Sequence, residues 1–223
     1  MTRRALVLLG SPKSRERSSS AHLARRIADR LEAGGWSIDW IHLLEAMASD
    51  DSKQRMLSAA DASDLLLLAA PLYVDSLPAP AIGALEAILE HQETGGSSDA
   101  SFCTVLNCGF IEPSHNDTAQ RICRRFCSQA GYKWRGALSI GGAGQLTARV
   151  RRLLLDAGDA LAQGDRIPLA VERDLHRLVI PRALYILGGN AMWRRVARKR
   201  FGVSRSGIRA CPYEPAANST DQS

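Results

Sequence analysis

Residues 4–20 read RALVLLGSPKSRERSSS, an unbroken apolar run followed by a loop rich in serine. The run at residues 5–9 contains no polar side chain, which is typical of a central strand in a parallel sheet that is buried on both faces. Residues 20–31 then carry apolar side chains four positions apart, so these side chains share one face of a helix. The stretch predicts a buried strand, a polar loop and an amphipathic helix.

Strand and helix signals alternate along the chain as far as residue 163. This alternation is typical of a doubly wound parallel sheet that is covered by helices and joined by right-handed crossovers. A length of 223 residues and an apolar content of 45% suit one α/β domain with a sizeable core. The pattern predicts further strands at 36–43, 64–70, 101–107 and 132–140, and further helices at 49–60, 79–91, 118–130 and 149–163.

Three loops follow the first, third and fourth predicted strands, and a parallel sheet brings such loops to one edge. Loop 1 (residues 10–20) leads into a helix N-terminus, whose free amides favour an anion; simple helix capping is the alternative. Loop 2 (residues 71–78) holds apolar side chains between prolines, which either a planar aromatic ligand or a helix or partner subunit would cover. Loop 3 (residues 107–117) contains Gly109, which lets a ligand approach the backbone. The three loops together predict a ligand site.

The three loops resemble those of NADPH-dependent FMN reductases and flavodoxin-like NAD(P)H oxidoreductases. The resemblance covers residues 3–145 and rests on GSPK at 10–13 with the serines that follow, PLYVDSLP at 71–78 and NCGF at 107–110. It implies a flavodoxin-like three-layer α/β/α fold, with a five-stranded parallel sheet in the order 2-1-3-4-5. It also implies FMN as cofactor, NADPH or NADH as co-substrate, and a homodimer.

Carried onto matching positions, the resemblance implies three groups of cofactor-binding residues. The FMN phosphate would contact Ser11, Lys13, Ser18, Ser19 and Ser20. The flavin ring and ribityl chain would contact Pro71, Leu72, Tyr73 and Val74, and the other side of the ring would contact Asn107, Cys108 and Gly109. Loop 1 is longer than the compact form common in this group, so Ser18, Ser19 and Ser20 stay alternatives for the phosphate contact. Tyr73 is the candidate for shaping the acceptor site by stacking.

The activity that the resemblance implies is that of an FMN-dependent NAD(P)H oxidoreductase. Hydride would pass from a nicotinamide through FMN to a small acceptor such as a quinone, and the cofactor would supply the chemistry. Two alternatives stay open: an electron carrier like flavodoxin, and a flavin-free regulatory or binding module on the same fold. The sequence leaves open which acceptor and which nicotinamide the protein uses.

The cysteines and the N-terminus indicate the compartment. Five cysteines are an odd number without a regular framework, unlike a secreted disulfide scaffold. Cys123 and Cys127 lie four positions apart on a predicted helix with no further ligand nearby, so we predict core residues and no metal or iron–sulfur site. No signal peptide precedes the first strand, and we therefore expect a cytoplasmic protein.

Positive charge is concentrated near the C-terminus. Residues 176–210 carry nine basic groups and no acidic one, whereas residues 1–175 have a formal charge of −1. We predict a cofactor-binding domain at 1–165, a basic helical extension of it at 166–210 and a disordered tail at 211–223.

The basic extension ends in a predicted amphipathic helix with Trp193, Val196, Ala197 and Phe201 along one side, and Gly188–Gly189 is expected to separate this helix from what precedes it. Four interpretations of the extension stay open. It is an arm that packs on the domain or a second subunit, a contact with an anionic membrane surface, a basic nucleic-acid patch, or an attractor for the phosphates of NADPH or an anionic acceptor. Of these we favour the packed arm, and we do not expect a nucleic-acid partner.

Overall fold

Five parallel strands form one sheet in the order β2-β1-β3-β4-β5, which confirms the predicted topology. The computed structural model describes residues 2–96, 99–178, 181–204 and 207. Every predicted strand forms, with ends that differ from the prediction by no more than one residue. The strands are β1 (Arg4–Leu9), β2 (Ser37–His42), β3 (Leu65–Pro71), β4 (Ser101–Asn107) and β5 (Lys133–Ile140).

Eight α-helices lie in the described part of the chain. All five predicted helices of the first 163 residues form, and two short helices, α2 and α7, join them. The bounds are α1 (Ser19–Ala33), α2 (Leu43–Ala46), α3 (Asp50–Asp61), α4 (Ala79–Glu93), α5 (Asp117–Gln129), α6 (Ala148–Gln163), α7 (Leu169–Leu175) and α8 (Arg182–Phe201).

The alternation of side chains along each strand creates two hydrophobic cores, one on each face of the sheet. In β1, Val7 packs in the core beneath α1, α6 and α7, whereas Leu8 packs in the core beneath α2 to α5. Cys123 and Cys127 lie buried in the second core, which confirms their prediction as core residues. Full burial of a leucine side chain contributes roughly 1.5–3 kcal/mol, so a sheet buried on both faces holds the strand ends rigidly.

The chain divides into two compact units between residues 180 and 181. The first unit extends past residue 165 because Ile167, Val171 and Leu175 pack in the core that α1 and α6 cover. None of the helices among the described residues combines the length and hydropathy that a membrane crossing requires.

The second unit contains α8, which runs from Arg182 to Phe201 without interruption. The predicted break at Gly188–Gly189 is therefore wrong. A glycine inside a helix costs only about 1 kcal/mol relative to alanine, and the neighbouring leucine, alanine, methionine and arginine residues favour the helix. The predicted disordered tail at 211–223 lies outside the described residues.

Candidate binding site at the carboxyl edge of the sheet

A cavity of about 250 Å³ opens where β1, β3 and β4 end. In a sheet of this order the connection leaves β1 in one direction and β3 in the other, which creates a crevice between them. Nine of the twelve residues that the sequence suggested as cofactor contacts line the cavity. They are Ser11, Lys13, Ser19, Ser20, Pro71, Leu72, Tyr73, Asn107 and Gly109. The other three, Ser18, Val74 and Cys108, lie outside this lining.

The N-terminus of α1 forms part of the cavity wall through Ser19 and Ser20. Ser18 caps the helix, since its hydroxyl oxygen accepts a hydrogen bond of 3.2 Å from the amide of Ala21. The first intrahelical bond is donated by His22 to the Ser18 carbonyl, so the amides of Ser19 and Ser20 precede the hydrogen-bonded turns. Such amides, together with the helix dipole, favour an anionic group.

The hydroxyl of Ser20 is already engaged. It donates a hydrogen bond of 2.7 Å to the Asn107 side-chain oxygen, and both residues are buried. The bond joins α1 to the end of β4. Of the three serines that the sequence left as alternatives, Ser18 therefore caps the helix and Ser20 bonds to Asn107, while Ser19 lines the cavity with no such bond described.

Strand β2 supports loop 1 from the side. The His42 ring donates from Nε2 to the Lys13 carbonyl at 3.1 Å, because a carbonyl oxygen only accepts. The Arg15 guanidinium lies over the Trp40 ring, 3.8 Å from its centroid. These contacts hold the loop that carries Lys13 against the edge strand, so Lys13 is presented on a fixed backbone.

Loop 2 contains a tight turn between Tyr73 and Ser76. The two residues exchange backbone hydrogen bonds of 2.9 and 3.1 Å. Val74 and Asp75 at the tip both have left-handed backbone angles, with φ of 49° and 55°. A left-handed residue other than glycine costs roughly 1–2 kcal/mol, and a β-branched side chain is poorly suited to that conformation. Val74 is also fully exposed, at 100%.

Loop 3 contains a ring stack and meets loop 2 through a contact between a histidine and an aspartate. The rings of Phe110 and His115 are stacked with centroids 4.0 Å apart. His115 Nδ1 lies 3.5 Å from the Asp75 carboxylate, a contact that joins the two loops. Tyr73, which lines the cavity, is 44% exposed, and Phe110 on loop 3 is 52% exposed, so both loops present aromatic surface to solvent.

The glycines after β5 support loop 3, and the sequence assigned them no part in the site. The amide of Gly142 donates to the Phe110 carbonyl at 2.6 Å. A side chain at Gly141 would place its Cβ 2.3 Å from the Ile111 carbonyl oxygen, so only glycine permits this close approach. The run of three glycines at 141–144 was the signal that could have revealed this role.

Comparison with known proteins places this geometry in a familiar fold. No protein-family model and no curated protein matches the sequence. A solved structure of an NADH:FMN oxidoreductase superposes with a TM-score of 0.58 at 18% identity, covering 82% of this chain and 99% of that one. An NAD(P)H:quinone oxidoreductase from Methanothermobacter marburgensis gives 0.55 at 14%, with 74% and 96% covered.

A flavodoxin from Streptococcus pneumonia TIGR4 gives a TM-score of 0.55 at 15% identity, with 72% of this chain and 99% of that chain covered. The fold is flavodoxin-like. The first unit is accordingly a flavodoxin-like domain, and its cavity lies at the switch point where the strand order reverses.

Cys108 is buried in the flavodoxin-like domain and has a structural role there. Its thiol is buried beneath loop 3 and lies 3.5 Å from the Phe110 carbonyl oxygen, and the Asn116 amide nitrogen lies 3.7 Å from the sulfur. Burial raises the pKa of the Cys108 thiol above its ordinary value, although these hydrogen bonds oppose the shift. A neutral thiol in this position holds the loop and is a poor nucleophile. No group of three or more potential metal ligands occurs among the described residues.

Proposed function

We propose that this protein binds FMN in the cavity and acts as an FMN-dependent NAD(P)H oxidoreductase. The observation that carries the proposal is the convergence, in one cavity of about 250 Å³, of a hydroxyl-lined helix N-terminus with a wall formed by Leu72 and Tyr73. The helix N-terminus suits a phosphate, and the apolar and aromatic wall suits a planar ring. Similarity to solved structures that are named FMN and quinone oxidoreductases supports the same class.

The phosphate end of FMN fits the residues at loop 1. The amides of Ser19 and Ser20 and the hydroxyls of Ser11 and Ser19 provide donors, and Lys13 adds a positive charge at the cavity wall. An anion at a helix N-terminus gains from both the free amides and the dipole. Because the Ser20 hydroxyl already donates to Asn107, Ser20 would bind the phosphate through its backbone amide.

The ring end of FMN fits the residues of loops 2 and 3. Leu72 and Tyr73 form an apolar and aromatic wall, and Gly109 faces it. An added Cβ at Gly109 would meet no atom within 4 Å, so the backbone at this position stands next to open space. A flat ring edge can approach the backbone there, as it could not with a side chain in the way.

When bound, FMN supplies hydride acceptance and hydride donation. The chain supplies binding, orientation and shielding from water. Tyr73 and Phe110 present exposed aromatic surface, on which we expect a nicotinamide or a planar acceptor to stack. The contact between Asp75 and His115 joins loops 2 and 3, which carry these two aromatic residues.

The first test is the visible spectrum of the purified protein, followed by titration of apo-protein with FMN. We expect a bound yellow flavin and oxidation of NADH or NADPH when a quinone is added. A colourless protein that binds no FMN at micromolar concentration would overturn the proposal. Bound FMN without any nicotinamide oxidation would favour the electron-carrier alternative over the reductase.

A pair of glycine variants localises the site. Gly109→Leu places a side chain in the open space beside loop 3, and we expect it to abolish FMN binding while the far-ultraviolet circular dichroism stays unchanged. Gly188→Leu is the matched control, because Gly188 in α8 also has no atom within 4 Å of an added Cβ. Equal FMN affinity in the two variants would place the flavin elsewhere.

We also propose that the protein is a homodimer through the groove between α4 and α5. The groove has a volume of about 420 Å³; five of its ten lining residues are apolar, and Glu86 on α4 and Arg121 on α5 are among the others. A twofold axis along the groove would bring Glu86 of each copy against Arg121 of the other. Glu86→Arg and Arg121→Glu should each give a monomer in sedimentation, and the double variant should restore the dimer. A wild-type monomer would overturn this assembly.

A further inference from the structure

The side chain of His42, the last residue of β2, is bonded to loop 1 and not to the helix that follows it. His42 stands directly before the first turn of α2, where a serine, threonine, aspartate or asparagine side chain commonly caps a helix. The His42 side chain makes no such capping bond. Its ring is only 17% exposed and donates from Nε2 to the Lys13 carbonyl. The ring therefore serves the loop that carries Lys13.

The second ring nitrogen of His42 has no hydrogen-bond partner among the described residues. Nδ1 is buried, and the Glu45 carboxylate lies 3.7 Å from it, beyond the usual hydrogen-bond distance. Because a carbonyl oxygen only accepts, the contact with Lys13 keeps the proton of the neutral ring on Nε2. The bond to Lys13 is therefore the hydrogen bond that orients the His42 ring.

Both backbone polar groups of Lys13 are bonded to side chains. Its amide donates to the Ser11 hydroxyl oxygen at 3.2 Å, and its carbonyl accepts the bond of 3.1 Å from His42. Ser11 is buried and, like Lys13, lines the cavity. The Ser11 oxygen accepts from the Lys13 amide, so its hydroxyl can still donate a proton to a ligand. The two bonds together hold the segment that presents a hydroxyl donor and a cation to the cavity.

The register of the sheet brings the end of β2 to loop 1. His42 pairs with Leu9, the last residue of β1, so it lies beside the point where loop 1 begins. Trp40 is two positions before His42 and shares its face of the strand, and the Arg15 guanidinium lies over the Trp40 ring. Strand β2 thus holds loop 1 at two points, through Lys13 and through Arg15.

Building on the proposed function, we propose that His42 is a positioning residue for the FMN phosphate and increases the preference of the site for FMN over riboflavin. His42 does not line the cavity, so it acts through Lys13. A loop that is already held in its binding conformation loses less entropy when a ligand binds. Riboflavin has no phosphate, so its affinity does not depend on how Lys13 and Ser11 are held.

Two amide variants separate the hydrogen bond from the imidazole ring. His42→Gln keeps a donor at about the reach of Nε2, whereas the side chain in His42→Asn is one methylene shorter and falls short of the Lys13 carbonyl. Asparagine is a favoured helix cap, so His42→Asn should fold. We expect His42→Asn to bind FMN about fivefold more weakly than the wild type, the effect of one lost hydrogen bond. His42→Gln should bind FMN as the wild type does, and riboflavin should bind equally to all three proteins.

Fluorescence titration of the full-length apo-protein gives the dissociation constants of both flavins, and hydrogen exchange without flavin reports on loop 1. We expect faster exchange of the Lys13 amide in His42→Asn only. Equal FMN affinity of His42→Asn and the wild type would overturn the role of His42. Equal weakening of FMN and riboflavin would overturn it as well, because it would indicate a general structural effect. A wild type that binds neither flavin would overturn the proposed function, and the role of His42 with it.

Discussion

Ser20 and Asn107 are 87 positions apart in sequence, yet the serine hydroxyl donates a buried hydrogen bond of 2.7 Å to the asparagine side chain. The bond ties the first turn of α1 to the last residue of β4. Both ends of the bond also line the cavity. One polar contact therefore fixes the distance between the two sides of the candidate site.

Ser20→Ala should lower the free energy of unfolding by about 1–3 kcal/mol, because it leaves a buried acceptor on Asn107 without its donor. Urea denaturation at neutral pH measures the change. Ser58→Ala, at an exposed serine on α3, is the control and should change stability little. Equal stability of the Ser20 variant and the wild type would mean that another donor reaches the Asn107 oxygen.

Val74→Asn should raise the free energy of unfolding by about 1 kcal/mol, because asparagine tolerates the left-handed backbone that valine adopts there at φ of 49°. Val74 is fully exposed, so the substitution removes no packing. Thermal unfolding of the apo-protein gives the measurement. A loss of stability would show that the valine side chain is covered in solution, for example by a second copy.

Gly158→Ala should destabilise the protein, because a Cβ at Gly158 on α6 would lie 2.8 Å from the Arg30 Cβ on α1. The two helices would have to separate, at a cost of about 1–3 kcal/mol. Gly83→Ala on α4 is the matched control, since its Cβ would meet only Met47 Cε at 3.4 Å. We expect this second variant to gain up to about 1 kcal/mol from helix propensity. The same sign for both would contradict the close approach of α1 and α6.

Stability should fall as pH rises above about 10. Burial raises the pKa of Tyr132 from 10.0 to about 12, so the folded state keeps a proton that the unfolded chain has lost. The stabilisation is complete below the unfolded pKa and disappears through the folded one, a change of about 2–3 kcal/mol. Burial also raises the pKa of Cys127 to about 11, and this thiol acts in the same direction.

Tyr132→Phe isolates the tyrosine from the cysteines. The stability difference between wild type and variant should shift in favour of the variant between pH 10 and pH 12, and guanidinium unfolding at several pH values measures it. A difference that does not change with pH would show that Tyr132 titrates at its ordinary value.

The strands and the three loops could be predicted because their signals are local. An apolar run such as residues 65–70 specifies a buried strand by itself, and parallel pairing then brings the loops to one edge. The different roles of the serines in loop 1 depend on contacts with residues that are distant in sequence. Ser18 and Ser20 are identical in sequence, and only the position of Asn107 in the folded sheet gives Ser20 a different partner.

Other features depend on backbone conformation or on distant contacts. The left-handed turn at Val74 and Asp75 contradicts the preferences of both residue types, so no pattern predicts it. The supporting role of Gly141 follows from the closeness of Ile111, thirty positions earlier in the chain. In α8 the sequence pattern predicted a break that does not form, because two glycines weaken a helix without ending it.

The strand order β2-β1-β3-β4-β5 has a consequence for the folding pathway. The cavity needs loop 1 beside β3 and Asn107 beside Pro71, so it exists only after β1 has paired with β3 and β3 with β4. Such non-local parallel pairings form slowly, because loop closure precedes the contacts that reward it. An early intermediate can hold every helix and still lack the cavity. During refolding, ligand binding should therefore recover later than the helical circular dichroism signal. The length of this delay would measure how long the central strands take to pair.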